Sequence, residues 1–276
     1  MPPAAVPAPI VFRHRLSTRL WHWVNVLAMC ILLMSGLMIF NAHPRLYWGE
    51  YGANSDTPLL QIGADGSGAD AAGFLRLGSR QYTTTGLLGR WRDGDGVDRS
   101  RAFPSWATIP STYSLALARR WHLFFAWILV LSSSSYLGWS LFNGHLWRDL
   151  APRLGELSPG HIWHDIKEHA RLRFPTGDSA RHYNILQKLA YVAVLFLLVP
   201  LIVLTGMTMS PGLNAAWPAL LDLFGGRPSA RTLHFVVATS LVLFVLVHLL
   251  MVVLAGPFNE VRSMITGRYR LPAEKK

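Results

Sequence analysis

Four histidines, His22, His122, His234 and His248, lie within or at the mouths of long apolar stretches of this 276-residue sequence. Imidazole is a common ligand of transition metals and of haem iron. Ionisable side chains are costly inside a membrane and are therefore candidates for function. A single histidine at a helix end is more often an interfacial anchor, so the interpretation depends on how the four are placed together.

The positions of the four histidines along their helices sort them into two depths. His234 and His248 are fourteen residues apart, which is about 21 Å of helical rise and nearly four turns, so both rings leave one helix face near opposite sides of the membrane. His22 opens the first apolar stretch from the inner side, and His122 opens the second from the outer side. Depth therefore pairs His22 with His248 and His122 with His234. Two imidazoles at each depth form the ligand set for two b-type haems in a helix bundle.

Small and basic residues lie where two such haems would need them. Gly36 is fourteen residues after His22, at the outer level, and Ser135 is thirteen after His122, near the inner level. Either could let a porphyrin pass the backbone, although small residues are also ordinary at helix contacts in membranes. Cations for charge-assisted pairs with the propionates stand at helix ends: Arg19 on the inner side, and Arg119, Arg120 or Arg231 on the outer side. Arginines at these positions can also simply extend towards the headgroups.

The elements that must hold these residues are membrane spans. Hydrophobic residues make up 51% of the sequence and charged residues 15%, and four apolar stretches, at 20–40, 121–141, 183–207 and 233–255, reach the roughly 20 residues that a bilayer requires. We expect an all-α integral membrane protein, a four-transmembrane-helix bundle forming one domain over residues 1–276. A long outer loop covers 41–118 and an inner connection covers 142–182. The first stretch lacks a cleavage pattern, so we expect it to be retained.

Cysteine and charge content narrow the class further. The single cysteine, Cys30, excludes disulfides within the chain, cysteine-ligated iron–sulfur clusters and covalently attached haem. The chain carries a net charge of +11, but the basic residues lie between spans and form no helical stripe, which argues against nucleic acid. Fourteen basic residues lie on the side of both termini and eleven on the other, so the positive-inside rule predicts cytoplasmic termini in contact with lipid on a multi-pass protein.

The outer loop is rich in glycine and in aromatic residues, which are scarce in disordered segments. Its aromatic side chains are Tyr47, Trp48, Tyr51, Phe74, Tyr82, Trp91, Trp106 and Tyr113. Loops of this length are usually functional or disordered. The aromatic residues are equally compatible with a belt at the lipid headgroups and with a docking surface for an extracytoplasmic partner.

The segment Leu20-Trp21-His22-Trp23, His122 at the start of the second helix, and the His234 and His248 pair carry a resemblance to a known family. Over all four spans the sequence resembles the di-haem cytochrome b subunits of bacterial respiratory enzymes. That family includes bacterial cytochrome b561 and the cytochrome b subunits of nickel hydrogenases, formate dehydrogenases and thiosulfate reductases. The segments 41–52 and 256–267 are similar to a branch paired with periplasmic molybdopterin oxidoreductases.

The resemblance implies an inner-membrane subunit that anchors its partner and exchanges electrons between that molybdopterin enzyme and the membrane quinone pool, with quinone bound beside a haem. Two alternatives come from the same family. One is a stand-alone oxidoreductase between superoxide, or another small reductant, and quinone; the other is a cytochrome b subunit of a hydrogenase or formate dehydrogenase. A non-haem transporter or metal-handling protein that uses the histidines as ligands is a further alternative.

Overall fold

The computed structural model describes residues 9–53, 55–66, 68–171 and 184–271. Four helices are long and apolar enough to cross a membrane: Leu16–Phe40, Leu115–Phe142, Ile185–Met209 and Arg227–Ala255. The predicted four-span helical membrane protein is confirmed. Residues 172–182 of the predicted inner connection, and the predicted first residue of the third span, Tyr183, lie outside the described ranges.

The first two spans are the helices α1, Leu16–Phe40, and α2, Leu115–Phe142. Both begin earlier than the apolar stretches that predicted them, at 16 rather than 20 and at 115 rather than 121. Hydropathy marks the hydrocarbon part of a span, whereas backbone hydrogen bonding continues into the headgroup region, where arginine is tolerated. Helix α3, Pro159–Ala170, belongs to the connection that follows.

The third span contains an irregular turn. Helix α4, Ile185–Ala193, runs through a π-helical turn at Val194–Leu198 into α5, Val199–Met209. Pro200 has no amide proton and its ring crowds the carbonyl four residues earlier, which a widened turn relieves. Two short helices follow, α6 at Pro211–Ala216 and α7 at Ala219–Leu223, before the fourth span, α8, at Arg227–Ala255.

The outer loop, residues 41–118, is called the outer segment from here on. Its described residues contain β-structure that the sequence analysis did not predict. Strands β2 (Arg45–Leu46), β3 (Leu60–Asp65), β4 (Ala72–Leu77) and β5 (Arg80–Thr83) form an antiparallel sheet in that order. Strands β6 (Gly89–Arg92) and β7 (Asp98–Arg101) form a separate hairpin. The all-α expectation therefore holds for the membrane spans and not for this segment.

The sheet and the hairpin approach each other at a glycine. Gly89 has a φ of +78°, and a Cβ there would lie 1.9 Å from the carbonyl oxygen of Gly63 in β3. Below this contact, Leu46, Ile62 and Ala102 pack with Phe40 at the end of α1 into a buried apolar cluster. The segment thus has a core of its own that continues into the first span.

The described ends of the chain lie together. Strand β1, Ile10–Phe12, pairs antiparallel with β8, Arg268–Arg270, which follows helix α9, Pro257–Thr266. The Arg13 guanidinium lies 3.6 Å from the carboxylate of Glu260 and 4.4 Å from the ring centre of Tyr269. This arrangement requires both ends to be on one side of the membrane, as an even number of spans predicts.

Packing divides the chain into two compact units. One contains the described parts of residues 1–24, 132–200 and 240–276, and therefore the β1–β8 pair. The other contains the described parts of 25–131 and 201–239, and therefore the outer β-structure. His22 and His248 belong to the first unit, and His122 and His234 to the second.

The histidine between β1 and α1 makes stability depend on pH. His14 is 7% exposed, and burial, followed by the charge of Arg13, lowers its pKa from 6.5 to about 4. The unfolded chain binds this proton at higher pH than the folded chain does, so stability falls as pH drops from about 6.5 towards 4. The free energy of unfolding should be lower at pH 5.5 than at pH 7 by about 1 kcal/mol.

We expect the melting temperature of the detergent-solubilised protein to fall between pH 7 and pH 5.5, and the fall to be smaller in His14→Gln. The exposed His161 of α3 supplies the control: His161→Gln should keep the full pH dependence. Equal slopes in His14→Gln and in the unmodified protein would contradict the assignment of this proton to His14.

Candidate haem-ligand pairs

The structure brings His22 of α1 against His248 of α8. Their ring centres are 6.3 Å apart and the ring planes are inclined by 59°. The ring of Phe244, one turn before His248, stacks on the His248 ring at 6.1 Å. These two histidines form the inner pair.

His122 of α2 and His234 of α8 form the outer pair with nearly the same geometry. Their ring centres are also 6.3 Å apart, with the planes inclined by 60°. Two imidazoles bound to one metal ion from opposite sides, with metal–nitrogen bonds of about 2 Å, would hold their ring centres about 6.2 Å apart. Both pairs therefore have the separation that axial ligation of one iron requires.

The donor set also fits a porphyrin-bound iron better than a free metal ion. Among the described residues there is no group of three or more His, Cys, Asp or Glu side chains that could hold a metal ion. Two imidazoles suffice when a porphyrin supplies the remaining ligands. The Nδ1 atom of His22 is buried and has no hydrogen-bond partner in the described chain.

The inner pair is fixed from the end of α9. Arg19, one turn before His22, donates to the carbonyl oxygen of Ile265, and Trp23 Nε1 donates to that of Met264 at 3.1 Å. Carbonyls in the last turn of a helix have no partner within the helix, so side-chain donors satisfy them here. Arg19 was expected to bind a propionate. Its Nε is buried and without a partner in the described chain, and propionate binding stays a prediction.

The outer pair is fixed by two hydroxyl groups. Ser35 Oγ lies 3.1 Å from Nδ1 of His122, and Thr205 Oγ1 lies 3.0 Å from Nδ1 of His234. The residue after each hydroxyl is a glycine. A Cβ on Gly36 would lie 3.3 Å from Cε1 of His122, and a Cβ on Gly206 would lie 3.3 Å from Cε1 of His234.

Gly36 therefore stands beside an imidazole of the outer pair. Its spacing predicts that a porphyrin passes its backbone at the outer level, and the contact with His122 gives a second reason for a missing side chain there. Ser135 lies on an exposed part of α2, and its contact with a porphyrin stays a prediction. The aromatic neighbour Tyr136 is buried and stacks on Trp21 with ring centres 4.5 Å apart.

The three arginines expected on the outer side have different surroundings. Arg119 and Arg120 are exposed on α2. Arg231 donates to the carbonyl oxygen of His43 and lies 5.5 Å from the ring centre of Phe40, so it joins α8 to the outer segment. Their pairing with propionates stays a prediction.

Sequence analysis missed Ser35, Thr205, Gly206 and Tyr47. The first three belong to an internal similarity, since residues 33–36 are Leu-Met-Ser-Gly and residues 203–206 are Val-Leu-Thr-Gly. A comparison of the first span with the third could have found them. The Tyr47 hydroxyl is buried and lacks a partner in the described chain, and its sequence context gave no such signal.

Two cavities lie away from these histidines. An apolar cleft of about 560 Å³ lies between α5 and the short helices α6 and α7, with Leu204, Met207 and Trp217 in its walls. A second cavity, of about 380 Å³, is lined by residues 47–51 and by Asp56, Thr57 and Leu59.

Comparison with known proteins identifies the family. A profile of the prokaryotic cytochrome b561 family matches residues 13–267. The chain is also similar to the putative protein-methionine-sulfoxide reductase subunit YedZ1 of Azospira oryzae, with 28% identity over 249 residues, covering 90% of this chain and 93% of that protein. No solved structure matches. With four spans and a family match over most of its length, the chain belongs to the prokaryotic cytochrome b561 family of haem-binding, electron-transporting membrane proteins.

Proposed function

We propose that this protein is the di-haem membrane subunit of a two-component oxidoreductase, passing electrons from membrane quinol to an extracytoplasmic molybdopterin enzyme that it also anchors. His22 and His248 are the axial ligands of the inner haem b, and His122 and His234 those of the outer haem b. The observation that carries this proposal is the equal ring separation of 6.3 Å in both pairs.

The ligand sets account for electron transfer rather than catalysis at iron. When bound, haem b supplies one-electron exchange. With both imidazoles of a pair bound to the iron, no position would stay open to a substrate, so these side chains would hold the metal and exclude other ligands. α8 contributes His234 to one pair and His248 to the other, and it is a single unbroken helix over both positions.

Membrane orientation follows from charge and from the paired chain ends. We place the protein in the bacterial inner membrane with both termini in the cytoplasm, because more basic residues lie on the side of the β1–β8 pair. The inner pair then faces the cytoplasm, and by family resemblance quinol binds beside it. The outer pair faces the partner enzyme.

Similarity to YedZ1 supports the choice of partner. That protein is named as a subunit of a putative protein-methionine-sulfoxide reductase, and the match covers nine-tenths of both chains. We therefore assign to this chain a reductase partner of the same kind, for which the membrane subunit supplies electrons. Electron flow would then be outward, from quinol to the extracytoplasmic reductase.

The partner docks on the outer segment next to the outer pair. Trp48 is 62% exposed and Tyr51 is 83% exposed, and both line the cavity of about 380 Å³. Thr232, two residues before His234, donates to the Tyr47 carbonyl oxygen at 2.6 Å. Exposed aromatic groups are frequent energetic centres of protein interfaces, and these two sit on a segment hydrogen-bonded to the helix that holds His234.

Haem content tests the ligand assignment. The purified protein should contain two haems b per chain, and His122→Ala and His22→Ala should each lose one, because one remaining imidazole holds haem poorly. Pyridine haemochrome analysis with quantification of the chain measures the ratio. His161→Ala on α3 is the control and should retain both haems. Two haems retained in either ligand variant would refute the assignment.

The glycines beside the rings of His122 and His234 give a separate test, which identifies the haem held by this outer pair. Gly36→Ala and Gly206→Ala should displace the imidazoles of His122 and His234, because a methyl group at 3.3 Å requires the ring to move. We expect altered electron paramagnetic resonance of one haem and unchanged resonance of the other. Gly138→Ala in α2, where nothing lies within 4 Å of the added methyl, should leave both haems unchanged.

Docking is tested with the two exposed aromatic residues. Trp48→Ala combined with Tyr51→Ala should weaken binding of the partner by about tenfold or more, as loss of interface aromatics does, while haem content stays at the normal level. Affinity can be measured by biolayer interferometry with the membrane subunit in nanodiscs. Trp163→Ala, an exposed tryptophan of α3, is the matched control. Unchanged affinity in the double variant would exclude this surface.

A further inference from the structure

The hydroxyl groups of Ser35 and Thr205 each donate a hydrogen bond to a backbone carbonyl of their own helix. Ser35 Oγ lies 2.6 Å from the carbonyl oxygen of Ile31, and Thr205 Oγ1 lies 2.7 Å from that of Leu201. Each is the bond to the carbonyl four residues earlier that serine and threonine make inside helices. A hydroxyl has one proton but two lone pairs, so towards the neighbouring imidazole each oxygen acts as an acceptor.

A second acceptor faces each imidazole. The backbone carbonyl of Leu32 accepts a hydrogen bond from the His122 ring, and that of Ile202 accepts one from the His234 ring. A carbonyl oxygen cannot donate, so it requires a protonated ring nitrogen. The accepting hydroxyl oxygens at 3.1 and 3.0 Å from Nδ1 assign that proton to Nδ1 in both rings. Leu32 and Ile202 each lie three residues before the hydroxyl residue, and the two arrangements are therefore copies of each other.

From these contacts we infer that Ser35 and Thr205 are positioning residues of the outer site: they hold His122 and His234 in the tautomer with the proton on Nδ1, which turns the free Nε2 lone pair of each ring towards the iron. The inference rests on the proposed assignment of this pair as haem ligands. It adds that the first and third spans, which contribute no ligand to the outer iron, determine the orientation and basicity of both its ligands.

The inner pair lacks this arrangement on at least one side. Nδ1 of His22 is buried and has no partner among the described residues. An acceptor at Nδ1 makes an imidazole a more basic ligand and is one of the means by which proteins adjust a metal centre. A more basic ligand favours the oxidised iron, so the two hydroxyls lower the midpoint potential of the outer haem.

The test removes the hydroxyls without changing the side-chain volume much. In Ser35→Ala and in Thr205→Val the midpoint potential of the outer haem should become more positive. The affinity of the protein for the outer haem should also fall by about 10- to 100-fold, as is usual when a metal ligand loses such a hydrogen-bond partner. Potentiometric titration monitored by visible and electron paramagnetic resonance spectra measures the two haems separately. The inner haem, titrated in the same sample, reports whether the protein is intact.

Conservative and matched variants complete the design. Ser35→Thr and Thr205→Ser keep the hydroxyl and should retain the original potential. Thr208, like Thr205, is fully buried in α5 and donates to a backbone carbonyl, in this case that of Thr205 at 2.7 Å. Thr208→Val should therefore leave the outer potential unchanged, because the Thr208 hydroxyl donates to the backbone of its own helix.

The outcomes separate this inference from the proposed function. Two haems with an unshifted outer potential in Ser35→Ala and Thr205→Val would overturn the positioning role and leave the ligand assignment standing. An equal shift in Thr208→Val would overturn it as well, because packing alone would then explain the effect. Failure of the unmodified protein to bind two haems, or retention of both by His122→Ala, would instead overturn the proposed function itself.

Discussion

Polar groups inside the hydrocarbon region of a membrane must find their hydrogen-bond partners within the protein, because no water is available there. The described chain meets this requirement at the outer pair, where each imidazole has a hydroxyl at about 3 Å. Each hydroxyl is in turn satisfied by a carbonyl of its own helix. At the outer pair the spans can therefore hold histidine without water, and both rings are oriented by the chain itself.

The same requirement joins the outer segment to the fourth span. At the start of α8, the Ser229 hydroxyl accepts from the Gly49 amide and donates to the Gly49 carbonyl oxygen, and Thr232 donates to the Tyr47 carbonyl oxygen. A reciprocal pair of bonds between Asn41 and the backbone of Phe103 joins the end of α1 to the far end of the segment. The segment is thus held at both of its ends by helices of the outer unit. A surface on it is fixed relative to His234 more firmly than a flexible loop would be.

Much of the membrane part could be predicted from the sequence because helical geometry is regular. The fourteen-residue spacing of His234 and His248 fixes both depth and face, and the structure brings each of these rings against the histidine expected from depth. Apolar length predicted the four spans, although headgroup arginines hid the true starts of α1, α2 and α8. These features depend only on local periodicity.

Features that depend on contacts between distant residues were not predictable in this way. The strands of the outer segment are two to six residues long, too short for a clear alternation, and Gly89 is defined by its approach to Gly63 rather than by its neighbours in sequence. The partners of Arg19 and Arg231 are backbone carbonyls far along the chain, and carbonyls carry no sequence signal. Ser35 and Thr205 could have been found, since the Ser-Gly and Thr-Gly dipeptides occupy matching positions in the first and third spans.

The distribution of the histidines among the helices also bears on how the protein is made. His22 and His122 come from the first two spans, but α8 supplies the other member of both pairs. During synthesis, neither pair exists until the last span has entered the membrane. Under the proposed ligand assignment, loading of cofactor is therefore confined to the final stage of biogenesis, and a chain truncated before α8 presents only isolated imidazoles.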